Sequence, residues 1–152
     1  MVPKKLNPAP KDIAQAVAQT ELQLSKAISR LESSLKKTES LGTDPRTLGD
    51  EQLEQWESLL ARFARAVDLF SSKYLRLKVL LEEPGFRGSP RDLLNQAEKQ
   101  GVIDSAERWF ELKELRNRQA HDYEDEALQG LFKAIREESK YVLLLKPRFK
   151  SP

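Results

Sequence analysis

The 152-residue chain is long enough for one domain with a substantial core. Its net charge of +2, from 26 Lys and Arg against 24 Asp and Glu, excludes a nucleic-acid interface carried by bulk charge, so any RNA contact needs a local basic cluster. The absence of cysteine excludes disulfides and thiolate metal sites and suits a cytoplasmic protein, and no apolar run is long enough to span a membrane.

The N-terminal residues 1–10 hold three prolines and show no apolar periodicity. We expect a flexible lead-in there, followed by a helix that begins near Asp12. The Gly-Thr-Asp-Pro cluster at 42–45 predicts the turn that ends this helix. Its apolar residues fall at three-, four- and seven-residue steps, which places them on one face: they are Ile13, Val17, Leu24, Ile28, Leu31 and Leu35.

The second predicted helix has the most regular apolar pattern of the chain, with alternating steps of three and four residues. This pattern is formed by Leu53, Trp56, Leu60, Phe63, Val67, Phe70, Tyr74, Leu77 and Leu81. A coiled coil is the other interpretation of such spacing. However, Leu59, Ala66, Leu69 and Leu80 widen the stripe, which favours a core helix packed against more than one neighbour.

Three further helices are predicted after the Pro-Gly-Phe-Arg-Gly segment at 84–88. Ser89-Pro90 is a typical helix start, and Gly101 is a typical helix end. A capping box at 104–107 predicts the fourth helix, and the last helix begins around Glu124 and ends at Pro147. With no strand-type alternation, the sequence predicts an all-α, up-and-down bundle of four to five helices in a single domain at 11–146, followed by a basic tail at 147–152.

The most informative stretch is the octapeptide at 116–123, Arg-Asn-Arg-Gln-Ala-His-Asp-Tyr, which contains the only histidine. Arg116 precedes His121 by five residues, and Tyr123 follows it by two. Arginine binds phosphate in a bidentate, permanently charged way, and histidine exchanges protons near neutral pH. These groups suffice in principle to cleave an RNA backbone without a metal.

Each of these residues also has a purely structural interpretation. His121 could be a polar helix terminus or a packed ring, and Tyr123 could cover the core. Arg116 could pair with Glu111, Glu114 or Glu124. The acidic run after the histidine is favoured at a helix start by the helix dipole and works against RNA binding at that spot. Spacing alone therefore leaves the role of the octapeptide open.

The octapeptide and the preceding segment at 101–109 resemble the HEPN superfamily, and within it the HepT-like toxins. Their signature is R-x-x-x-x-H-x-Y near the start of the last long helix, and Arg116, His121 and Tyr123 match its three fixed positions. Asn117 is the residue usual after that arginine. The helix around 63–73 also resembles the family's preceding helix, so the likeness covers roughly residues 50–145.

The resemblance implies a HEPN-like fold and a metal-independent endoribonuclease toxin without a cofactor. It also implies a cognate partner, an MntA-like minimal nucleotidyltransferase that acts as antitoxin. In such a module the motif tyrosine, here Tyr123, accepts AMP and the modification silences the toxin.

Attack by a 2′-hydroxyl needs a base, an acid at the leaving oxygen, and positive charge on the phosphorane. A single imidazole does not easily serve both oxygens of an in-line displacement, so we expect a homodimer with a composite site. There His121 would transfer protons, Arg116 would clamp the phosphate, and Asn117 would orient His121 or bind a phosphate oxygen.

Two other functions remain open from the sequence. One is a non-catalytic HEPN-type subunit that binds substrate for a minimal nucleotidyltransferase. The other is a structural bundle in which the motif has no chemical role. The intact arginine–histidine pair favours the ribonuclease over the binding subunit, which has no need of that pair.

Overall fold

The computed structural model describes residues 9–121 and 124–150, and every regular element within these ranges is helical. The predicted all-α bundle is therefore confirmed. The α-helices are α1 (Pro10–Thr38), α2 (Asp50–Asp68), α3 (Leu75–Glu82), α4 (Pro90–Lys99), α5 (Ala106–Arg118) and α6 (Asp125–Val142). Two 3-10 helices lie at Pro45–Thr47 and at Leu143–Phe149, and a π-helical segment joins α2 to α3. No helix in the described ranges is both long and apolar enough to cross a bilayer.

The centre of the fold is the contact of α1 with α2, and α6 packs against both of these helices. All six apolar residues predicted to share one face of α1 are buried. On α2, Trp56 is fully buried and stacks on Phe132 of α6 with ring centroids 4.5 Å apart. The Trp56 indole N–H also donates to the Gly42 carbonyl oxygen at 2.9 Å, so this large side chain is buried with its polar atom satisfied.

The second predicted helix is continuous in space but contains a π-helical segment, Leu69–Tyr74, between α2 and α3. The regular three- and four-residue spacing gave no sign of this change. Within the segment, the Ser71 hydroxyl donates to the Val67 carbonyl oxygen at 2.6 Å. π-Helical segments are often found at functional sites, and this one begins directly after Asp68.

The start of α5 is fixed by local capping. The Ser105 hydroxyl accepts a hydrogen bond from the Arg108 N–H at 3.1 Å, so the N-cap is Ser105 rather than Asp104. Gly101, which ends the preceding turn, has a φ of 77°. This left-handed conformation is accessible to glycine at little cost, as its predicted role as a helix end requires.

The C-terminal segment up to Phe149 packs on the bundle. The last α-helix ends at Val142, and the chain continues through Pro147 as a 3-10 helix to Phe149. Phe149 is only 4% exposed and packs edge-on against Tyr74, with centroids 5.0 Å apart. Burial of this one aromatic ring fixes a segment whose other side chains are mostly charged.

Candidate functional site

Residues 116–121 of the octapeptide lie at the end of α5, and their backbone stays helical in character beyond the last α-helical residue. The Gln119 N–H donates to the Arg116 carbonyl oxygen, and the His121 N–H donates to that of Arg118, each at 3.3 Å. These i to i+3 bonds form a tighter turn that extends the helix end to His121. Asn117 and His121 line one groove across this turn.

An open groove of about 740 Å³, which we call the α5–α6 groove, runs along this side of α5. Its lining comes from α5, from the turn after it, and from α6: Glu111, Glu114, Leu115, Asn117, Arg118, His121, Ala134 and Glu138. The structure thus brings Asn117 and His121 to one groove and adds Arg118 to them. His121 is exposed to solvent. A bound molecule would therefore meet an amide, a guanidinium and an imidazole from three neighbouring positions.

One carboxylate of the α5–α6 groove, that of Glu138, comes from α6. Glu138 of α6 pairs with Arg108, with Nη2 and Oε2 2.8 Å apart. The Arg108 guanidinium also lies over the Tyr141 ring, 4.6 Å from its centroid, and burial raises the pKa of Tyr141. Arg108 is not among the residues that line the groove, and Arg118 is the one arginine or lysine among the described lining residues.

Arg116 lies on a different side of α5 and lines the α2–α5 depression, which has a volume of about 450 Å³. Its lining is Ala61, Ala64, Arg65, Asp68, Leu69, Lys73 and Arg116. The Arg116 Nε donates to both carboxylate oxygens of Asp68, at 2.9 and 3.0 Å. Its ion-pair partner is thus Asp68, and not one of the three glutamates considered from the sequence.

The packing of α5 on α2 explains why Arg116 and His121 line different grooves. The Arg116 Nε is held by Asp68 of α2, whereas Asn117 and His121 line the α5–α6 groove. In a single chain, the guanidinium and the imidazole of the predicted catalytic pair thus line separate surfaces. The structure brings Asn117 to His121 but does not bring Arg116 to either of them in one groove.

Asp68 is a residue that the sequence interpretation missed. It lies 48 positions before Arg116, so no local spacing signals the pair. A second cation, Lys113, lies one turn before Arg116 and is half-buried. Burial lowers the pKa of Lys113, Asp68 opposes this shift, and Arg76 adds to it. Asp68 therefore offsets charge from more than one basic side chain.

Tyr123, the predicted AMP acceptor, lies outside the described residues. In the part of the chain that is described, no group of three or more His, Cys, Asp or Glu side chains is arranged to hold a metal ion.

Comparison with known proteins defines the class of this chain. The family described as "Nucleotidyltransferase substrate binding protein like" matches residues 20–146, and the chain belongs to this family. The family is helical and HEPN-like and is linked to nucleotidyltransferase modules. No curated protein and no solved structure matches the chain.

Proposed function

We propose that this protein is the helical partner subunit of a nucleotidyltransferase and that it holds the substrate, or itself serves as the substrate, at the α5–α6 groove. The observation that carries this proposal is the family match over residues 20–146, which includes α5, the octapeptide and all of α6. Of the functions left open by the sequence, the match favours the non-catalytic subunit. The ribonuclease toxin becomes the second candidate.

The chemistry of the α5–α6 groove supports a binding role. Its volume of about 740 Å³ lies within the range of small-molecule sites, roughly 300–1,000 Å³. Glu111, Glu114 and Glu138 supply acceptors, while Asn117 and Arg118 supply donors. With three carboxylates against one guanidinium, the groove suits a polar ligand or protein segment that offers donors better than it suits a naked phosphate backbone.

The acceptor of the nucleotidyl group is, in this proposal, Tyr123. In the sequence it follows His121 by two residues and precedes the first residue of α6 by two. The Tyr123 phenolic oxygen would attack the α-phosphorus of ATP, pyrophosphate would leave, and the phenolic proton would pass to a base on the nucleotidyltransferase. The product is a phosphodiester that adds bulk and one negative charge two residues after His121 in the chain.

The proposal is tested by mixing the full-length protein with a minimal nucleotidyltransferase and ATP. We expect co-elution of the two proteins in size-exclusion chromatography and a mass increase by whole AMP units that maps to Tyr123. Glu114→Lys should weaken the complex, because it replaces an acceptor of the groove with a cation. Glu83→Lys, an equal charge change at an exposed residue outside the groove, is the matched control. Absence of both complex and modification with the wild type would rule the proposal out.

A ribonuclease is the second candidate, and one observation favours it. His121 is exposed at an open groove, beside the amide of Asn117, in a chain that also carries Arg116 at the signature spacing. Since Arg116 and His121 of one chain line different surfaces, this function requires a second copy to bring a guanidinium opposite the imidazole. RNA cleavage by the purified protein, lost in His121→Ala, supports this candidate. Equal behaviour of the two proteins excludes it.

A further inference from the structure

A small pocket that the proposed function does not use lies where the turn at 102–104 meets the end of α6 and the C-terminal 3-10 helix. We call it the Leu144 pocket. Its volume is about 140 Å³, and it shares no lining residue with the α5–α6 groove. Its apolar lining residues are Val102, Ile103, Trp109, Tyr141, Leu144 and Leu145. The other described lining residues are charged, namely Asp104 and Arg148, so an apolar wall stands beside one carboxylate and one guanidinium.

The apolar wall is accessible at the mouth of the Leu144 pocket. Leu144 is 70% exposed, more than any other large apolar side chain that the structure describes, and Val102 and Tyr141 are half-buried. An apolar cavity of about 150 Å³ holds one group of the size of benzene. The pocket therefore has room for a single side chain of leucine or phenylalanine size.

Arg148 has a fixed position beside this wall. Its Nη1 donates to the Val102 carbonyl oxygen at 2.9 Å, and its guanidinium carbon lies 5.7 and 5.6 Å from the ring centroids of Phe70 and Phe149. No carboxylate pairs with Arg148 within the described residues. Because a guanidinium binds a carboxylate through two parallel hydrogen bonds, Arg148 offers a carboxylate site at the pocket.

Asp104 supplies the opposite charge. It is exposed, and within the described residues it forms no ion pair, with Arg148 or with any other cation. Burial raises the pKa of Tyr141, Arg108 opposes this shift, and Asp104 adds to it, so the negative charge of Asp104 acts on the pocket wall. Two opposite charges thus line one small pocket without contacting each other.

From this arrangement we infer that the Leu144 pocket binds a free α-amino acid with an apolar side chain of leucine or phenylalanine size. The ligand carboxylate pairs with Arg148, its ammonium group pairs with Asp104, and its side chain lies against Leu144, Val102 and Tyr141. A nucleotide or another anion brings no cation to Asp104, and the interior of a peptide chain brings neither charge. Binding here involves neither the octapeptide nor a nucleotidyltransferase.

The test is isothermal titration calorimetry of the full-length protein with L-leucine, N-acetyl-L-leucine, L-leucinamide and L-serine. N-acetyl-L-leucine lacks the ammonium group, L-leucinamide lacks the carboxylate, and L-serine lacks the apolar side chain. Asp104→Asn removes the charge that pairs with the ammonium group and keeps the shape of the side chain. Asp12→Asn, the same change at an exposed carboxylate in the first turn of α1 and outside the pocket, is the matched control. Urea denaturation verifies that both variants fold.

We expect each of the two modified leucines to bind the wild type at least about tenfold more weakly than L-leucine, because each loses one charge-assisted contact. L-Serine should bind at least about tenfold more weakly, because it leaves the apolar wall uncovered. Asp104→Asn should lower the affinity for L-leucine at least about tenfold, and Asp12→Asn less than about twofold. In Asp104→Asn, L-leucine and N-acetyl-L-leucine should bind almost equally, because the two changes remove the same contact.

Three results would overturn the inference, and two of them need no variant. One is the absence of L-leucine binding by the wild type. Another is equal affinity of the wild type for L-leucine and N-acetyl-L-leucine, because the pocket would then take an apolar side chain, as from a partner protein, and not an amino acid. The third is an equal loss of affinity in Asp104→Asn and Asp12→Asn, since the carboxylate of the pocket would then have no specific role.

Discussion

The contact of α2 with α6 and the junction of α5 with the turn at 119–121 place their side chains in opposite environments. In the first, Trp56 and Phe132 stack without solvent exposure. In the second, Asn117, Arg118 and His121 line an open groove and are exposed. Under the proposed function the exposed junction carries the binding chemistry, while the buried contact determines stability, so substitutions in the two regions should affect different measurements.

The largest expected effect is that of Trp56→Ala. This change removes a fully buried indole, its stack on Phe132, and the hydrogen bond to the Gly42 carbonyl oxygen. We expect a loss of about 3–5 kcal/mol in the free energy of unfolding, measured by urea denaturation. Leu22→Ala, at a residue 53% exposed, is the control and should change stability by less than about 0.5 kcal/mol. Similar losses in the free energy of unfolding for the two variants would contradict the assignment of stability to the contact of α2 with α6.

A smaller effect is expected at Ser105, which links the two regions because it begins the helix that carries the octapeptide. Ser105→Ala leaves the Arg108 N–H without its cap acceptor. The expected loss of stability is about 1 kcal/mol. Ser105→Asp restores an acceptor and should recover most of that loss. If alanine and aspartate have equal stability, the hydroxyl does not anchor α5.

The sequence predicted the buried region well because periodicity reports burial directly. All six α1 positions placed on one face are buried, and the caps at Ser89 and Gly101 lie where the sequence placed them. The π-helical segment escaped prediction because its apolar residues keep the same spacing as an α-helix. The burial of Phe149 was not predicted because a single aromatic residue among charged residues forms no periodic pattern.

The candidate site was only partly predictable, for a related reason. The four-residue spacing of Asn117 and His121 is local and correctly predicted a shared surface. The pair of Arg116 with Asp68 joins residues 48 positions apart, and only the packing of α5 on α2 brings them together. Tertiary contacts of this kind leave no trace in local spacing.

The Arg116–Asp68 pair gives a third test, with a smaller effect on stability. Both side chains are partly exposed, at 32% and 48%, so solvent screens their attraction. We expect Asp68→Asn to cost at most about 1 kcal/mol and the difference from wild type to shrink at high salt. Urea denaturation at low and high salt measures both effects. A loss above that of Ser105→Ala would mean that the pair is a main support of α5.

The smallest expected effect on stability is that of His121→Ala. This variant best separates an effect on stability from an effect on binding chemistry. The His121 ring is exposed beyond the last residue of α5, so its removal opens no cavity in the core. Urea denaturation should give a change within about 0.5 kcal/mol of wild type. A loss comparable to that of Trp56→Ala would instead make the octapeptide part of the packed structure. The variant can keep the wild-type free energy of unfolding and yet lose RNA cleavage or change the modification of Tyr123. Stability and binding chemistry then depend on different residues, as expected for the two regions. The imidazole then acts on a bound molecule, because a side chain that serves only the fold cannot alter binding chemistry while leaving the free energy of unfolding unchanged.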